Sequence, residues 1–181
     1  MKILPETISK LTDEIKNSLT SSSQKDSKNK EEFAERCGLV SISDKGSFTA
    51  MVGVHKDLPN VVIKVVPNYD MFLTFAQEML NEEIHHPMFP EIYGIVQVGD
   101  HSIITVERIP NSAEELIGVV DSLDCGEDLG EPLYETFLSV VEEFLERHDK
   151  AMKDFHMENF RTRKDGSLCC IDPFWSHQRS K

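Results

Sequence analysis

Basic residues are in short supply in this sequence. Nineteen Lys and Arg stand against 32 Asp and Glu among 181 residues, a formal net charge of −13. So acidic a surface repels polyanions, which argues against direct nucleic-acid binding and against adsorption to anionic membranes. Long hydrophobic runs are missing too. No stretch reaches 18 apolar residues, so no membrane span is expected. The opening Met1-Lys2-Ile3-Leu4-Pro5-Glu6 lacks the apolar centre of a secretory signal. Cysteine is scarce, and Cys37, Cys125, Cys169 and Cys170 contain no Cys-x-x-Cys pair. Two of them are adjacent, which suits neither a disulfide framework nor a zinc knuckle. They read as reduced thiols of a cytoplasmic protein, buried as small hydrophobes.

What remains is the composition of a globular chain, 39% hydrophobic and 28% charged, long enough for one sizeable core. Ile8, Leu11, Ile15 and Leu19 recur at helical spacing over residues 5–19, and the polar stretch Ser18 to Lys30 reads as a linker. A short helix is expected from Glu31 to Cys37, stopped by Gly38. Strands are expected at Leu39–Ser43, Thr49–His55 and Val61–Val66, with the turn Asp57-Leu58-Pro59-Asn60 joining the last two. A helix over Asp70–Glu83 carries Phe72, Phe75, Ala76, Met79 and Leu80 along one stripe. Ile92–Val98 and Ser102–Arg108 form a hairpin across Gly99-Asp100. Helices follow at Ala113–Leu123 and Pro132–Lys150, then a hairpin of Phe160–Arg163 and Ser167–Ile171. Strands segregated ahead of helices predict an α+β fold with two lobes.

Four features along this order carry chemistry. Lys64 is the single charge inside Val61-Val62-Ile63-Lys64-Val65-Val66. Burying an unpaired ammonium costs several kcal/mol, so either an anion meets it or the strand is an edge from which the side chain reaches water. Glu78, on the following helix, is a candidate partner, with Glu82 and Glu83 as rivals. Asp154 and Asn159 stand five apart in a loop between the long helix and the last hairpin, and Asp172 ends the apolar run Leu168-Cys169-Cys170-Ile171. Carboxylate and amide oxygens are hard donors of the kind magnesium takes beside phosphate oxygens. Each alone is also an ordinary turn residue. Their order matches that of protein kinases, in which a lysine holds phosphates, oxygen ligands hold the metal and a carboxylate orients the hydroxyl.

At these positions the chain resembles the kinase-like superfamily, and within it the early serine/threonine protein kinases of short-tailed lytic bacteriophages. The likeness rests on Lys45-Gly46-Ser47-Phe48-Thr49-Ala50, on Leu58-Pro59-Asn60-Val61-Val62-Ile63-Lys64-Val65, on Asp154-Phe155-His156-Met157-Glu158-Asn159 with Asp165-Gly166, and on Ile171-Asp172-Pro173. It implies a two-lobed fold: residues 1–30 as a leading helix and linker, 31–109 as an N-lobe with a small antiparallel sheet, and 110–181 as a minimal, truncated helical C-lobe. It implies ATP and Mg2+ as cofactors. Lys64 would contact the α- and β-phosphates, supported by Glu78. Gly46, Ser47 and Thr49 would line the phosphate loop. Glu107 and Ile109, in the hinge Val106-Glu107-Arg108-Ile109, would meet adenine. Asp154 would be the base, His156 would donate to the transferred phosphoryl group, and Asn159 and Asp172 would hold magnesium.

The sequence departs from the family pattern at several points. The glycine-rich loop keeps only Gly46, with Asp44 and Thr49 where glycine is favoured. Met152 replaces the usual catalytic-loop histidine, Pro173 stands in place of Phe-Gly, and nine residues follow Asp172. A standard activation segment is therefore not expected. The implied activity is phosphorylation of Ser or Thr on host proteins during infection, with possible autophosphorylation. A small-molecule phosphotransferase and a kinase-fold binding module for a host protein are the alternatives.

Overall fold

The structure, a computed structural model, describes residues 39–41, 51–127 and 129–176, together with Lys10, Asp13, Lys16 and Asn17. Those four are helical and exposed, within the stretch expected to be a helix. The apolar face proposed for that helix lies outside the described residues. So do the expected helix over 31–37 and Gly46, Ser47 and Thr49 of the phosphate loop. The architecture is mixed α+β, with three α-helices and a five-stranded antiparallel sheet among the described residues. By contacts the chain divides into two units, Met1–Tyr69 with Glu91–Arg108, and Asp70–Pro90 with Ile109–Lys181. The chain thus passes between units after residues 69, 90 and 108. The helix over 71–81, which the sequence reading places in the first lobe, groups with the second unit.

The first unit is the sheet β1(Leu39–Ser41), β2(Met51–His55), β3(Leu58–Pro67), β4(Ile92–Val98) and β5(His101–Glu107), in the order β1-β2-β3-β5-β4. Every pairing is antiparallel. β3 is central, and over Val61–Val66 all but the half-buried Val62 are buried, as expected of an apolar run interrupted only by Lys64. One face gathers Leu39, Met51, Val61, Ile63, Val65 and Ile103 into a core, with Leu58, Tyr93 and Val98 at its margin. Gly53 permits the close approach of β1, since a Cβ there would lie 3.1 Å from Cβ of Leu39 and 3.3 Å from the Val40 carbonyl. The turn before β3 is Lys56-Asp57, not Asp57 to Asn60, and Leu58 already pairs with His55. The register shift between Val54 and His55 leaves Pro59 in an irregular stretch, where its missing N–H costs the ladder nothing. The β4–β5 hairpin turns at Gly99-Asp100, with Gly99 at φ 58 as a two-residue loop favours.

The second unit is built from α1(Met71–Asn81), α2(Ile117–Cys125) and α3(Pro132–Arg147) with short strands β6(Asn111–Ser112), β7(Ala151–Lys153), β8(Phe160–Thr162), β9(Leu168–Cys170) and β10(Phe174–Ser176). Asp70 caps α1, its Oδ1 accepting from the N–H groups of Phe72 at 2.9 Å and Leu73 at 3.3 Å. The buried stripe of α1 is Phe72, Leu73, Phe75, Ala76 and Met79. Leu73 replaces Leu80, which is 42% exposed. The expected helix from Ala113 starts as a 3₁₀ turn over Glu114–Leu116 and runs on to Cys125, where Gly126 at φ 70 ends it. α3 begins at Pro132, a favoured first-turn residue, and stops at Arg147, three residues short of the expected end. β8 and β9 form the expected hairpin, with Gly166 at φ 85 in its turn, and β6 adds a third strand.

Phenylalanine rings hold this unit together. Phe75 meets Phe89, Phe144 and Phe174 edge-on at 4.8, 5.3 and 5.0 Å between ring centroids. The chain of rings continues from Phe89 to Phe137 at 5.0 Å, then to Phe155 at 5.4 Å and Phe160 at 5.4 Å. Among the described residues no helix is long and apolar enough to cross a membrane. Cys125, Cys169 and Cys170 are free thiols, the last two buried.

Candidate active site

Asp154 begins where the paired strands β7 and β10 end. Phe174 is opposite Lys153 in that ladder, and the Asp154 N–H donates to the Pro173 carbonyl at 2.9 Å. A 3₁₀ turn over Met157–Asn159 then brings the chain back, with the Asn159 N–H on the His156 carbonyl at 2.7 Å. The Asn159 carbonyl accepts from the Ile171 N–H at 2.7 Å. Asp172 is therefore bracketed: the residue before it is bonded to Asn159, and the residue after it to Asp154. Backbone hydrogen bonds thus gather three sequence-predicted residues at one place in the second unit.

Side chains complete the arrangement. Asn159 Nδ2 donates to both the Asp154 carbonyl and its Oδ2, each at 2.9 Å. That fixes the amide's orientation and leaves Oδ1 as a free acceptor among the described residues. His156 Nε2 lies 2.6 Å from Asp154 Oδ1, with the imidazole 61% exposed and the carboxylate 26% exposed. Burial pushes the Asp154 carboxyl above its ordinary range. His156 and the Asn159 amide pull it back down, and the negative charge of Asp172 adds a further push upward. Beneath the loop, Phe155 is buried against Phe137 and Phe160. Lys153 sits over the Phe155 ring at 5.1 Å and donates to the Asp124 carbonyl at the end of α2.

The remaining predicted residues are distributed as follows. Lys64 is 5% exposed on the central strand of the first unit, between Val52 on β2 and Ile104 on β5. The edge-strand alternative is thereby removed. Glu107 ends β5, its Oε2 accepting from the Glu91 N–H at 3.2 Å and its own N–H donating to the Glu91 carbonyl at 2.8 Å. Ile109 opens the next segment of the second unit and is 7% exposed. Glu78 has company that the sequence did not announce. His148 Nε2 is hydrogen-bonded to its Oε1, and Arg147 Nη2 lies 3.0 Å from its Oε2. Arg147 also reaches Glu82 at 2.9 Å, joining α1 to the end of α3.

Asn159 Oδ1 and the Asp172 carboxylate are hard oxygen donors, chemically matched to magnesium when phosphates and water fill the other positions. Among the described residues no group of three or more His, Cys, Asp or Glu side chains is gathered as a metal site. A site completed by phosphate oxygens does not require one. Sequence reasoning missed Arg147, His148, Lys153 and the carbonyl of Pro173. Only the last had a signal, the Asp172-Pro173 form itself. No model of a known protein family and no curated protein matches this sequence.

Proposed function

We propose that the chain is an ATP-dependent phosphotransferase acting on Ser or Thr hydroxyls of proteins, with the host proteins of an infected cell as acceptors and the protein-kinase arrangement as its architecture. One observation carries this reading: Asp154, Asn159 and Asp172 are drawn together by the hydrogen bonds Asp154–Pro173, Asn159–Ile171 and Asn159–Asp154. Independent turn residues have no need of that convergence, whereas phosphoryl transfer needs a proton acceptor beside two oxygen ligands.

In the proposed reaction the acceptor hydroxyl oxygen forms a bond to the γ-phosphorus of ATP, and the bond from that phosphorus to the ADP oxygen breaks. The hydroxyl proton passes to the Asp154 carboxylate, which has lone pairs to spare beyond those taken by His156 and Asn159. His156 orients that carboxylate and works against the upward push of burial on its proton affinity. This assignment differs from the phosphoryl donor implied by the resemblance and follows from its bond to Asp154. Asn159 Oδ1 and Asp172 would hold magnesium, which supplies positive charge to the phosphates. Lys64 would keep the phosphate contact that the resemblance implies. Glu78 is paired with Arg147 and hydrogen-bonded to His148, and no chemical step is assigned to it.

The test is labelling of a host lysate, and of the protein itself, with γ-labelled ATP and magnesium. Transfer to Ser or Thr that is lost in Asp154→Asn supports the proposal. Full transfer by that variant removes Asp154 from the role of base.

A further inference from the structure

The segment that leads out of α1 toward β4 is fastened to the hairpin β8–β9. The Met88 carbonyl accepts from the Cys170 N–H at 2.7 Å, and Arg163 donates to the carbonyls of Pro87 and Phe89. His86 supplies the fastening on the other side. Its Nδ1 accepts the Met88 N–H at 3.2 Å, and its Nε2 lies 3.0 Å from Thr136 Oγ1 on α3. With Nδ1 accepting, the neutral ring carries its hydrogen on Nε2 and donates it to the Thr136 hydroxyl, whose own hydrogen has the carbonyls of Pro132 and Leu133 within reach at 2.9 and 3.1 Å. Only the neutral ring with its hydrogen on Nε2 satisfies both contacts.

The ring is half-buried between Phe89 and Phe137, with centroids 5.7 and 6.0 Å away. The surrounding elements carry Glu82, Glu83 and His85 ahead of it, Glu131 and Glu135 at the start of α3, and the Arg163 guanidinium on the neighbouring carbonyls. Among the described residues none of these forms an ion pair with His86. A second proton would therefore sit on Nδ1, setting a donor against the Met88 N–H with no carboxylate to offset the charge. Burial holds the imidazole below its ordinary range, against a smaller opposing effect from the Leu133 backbone.

We propose that His86 is an acid-released latch. Neutral, it pins Met88 and keeps the 86–89 segment seated between α3 and β9. Protonated, it lets that segment go, and with it the Met88–Cys170 bond that steadies the strand running into Asp172. This device does not depend on the catalytic reading.

The test is NMR on the full chain, following the His86 ring and the hydrogen-exchange protection of individual amides from pH 7 to pH 5. The ring is expected to titrate below 6.5. The protection factors of the Met88 and Cys170 amides should fall together by at least tenfold, while those of β5 hold. In His86→Asn the side-chain carbonyl replaces Nδ1 as acceptor but cannot take a proton, so protection should be alike at both pH values. Unchanged Met88 protection once the ring is protonated would overturn the latch, as would a ring that stays neutral to pH 4 or the same loss in His86→Asn. Should the variant not fold, the ring and amide titrations of the unmodified chain decide the matter alone.

Discussion

A single carboxylate concentrates the chemistry and some of the cost. Asp154 binds its proton more tightly in the folded chain than at its ordinary value of 3.8. Its ionisation therefore detracts from stability as pH rises through the folded value, and detracts nothing below the unfolded one. Asp154→Asn is expected to melt at or above the temperature of the unmodified chain at pH 7, with the advantage disappearing near pH 3. Differential scanning calorimetry across that range is the check. The same variant should lose about 10²- to 10⁴-fold in phosphoryl transfer, the usual contribution of a positioned base. Because a base must be ionised, the acid limb of the pH–rate profile should lie above the ordinary carboxylate range. His156→Gln removes a group that lowers the Asp154 value, so its acid limb should move to higher pH. A limb that stays put in the variant would leave His156 without influence on the base.

Local signals specify the elements in proportion to their length. The α1 helix and the Gly99 turn are readable from a few neighbouring residues and both form, although the buried stripe of α1 takes Leu73 in place of Leu80 and Asp70, read as the first helical residue, is its cap. Asp70→Ala is expected to cost about 1 kcal/mol by chemical denaturation, the usual worth of a capping side chain, and to leave any transfer activity intact. The three-residue strands β7 and β10 carry no periodicity of their own. They exist because Ala151–Lys153 meets Phe174–Ser176, a pairing that spans some twenty residues and that no local pattern encodes. Lys64 shows the same limit from the other side. Its apolar neighbours announce a buried strand, but only the sheet order makes that strand central. The spacing of Asp154 and Asn159 was legible, whereas the bonds of Arg147 and His148 to Glu78 were not, since they join residues about seventy positions apart.

For the molecule as a whole, the proposed activity predicts a response to nucleotide that a bare scaffold lacks. ATP with magnesium at 100 times its dissociation constant should stabilise the chain by about 2.7 kcal/mol, read as a rise in melting temperature. Lys64→Met should fold and show little of that rise. An unmodified chain indifferent to millimolar ATP would point instead to a binding module. The discontinuity of the two units has a consequence of another kind. During synthesis the sheet cannot close until β5 has emerged, because β3 must pair with it across the intervening helix. Phe75, made long before, waits for Phe174 to complete its ring contacts. A ribosome-tethered chain arrested near residue 150 should thus offer a finished sheet to conformational antibodies, while α1 remains a target for proteases and chaperones.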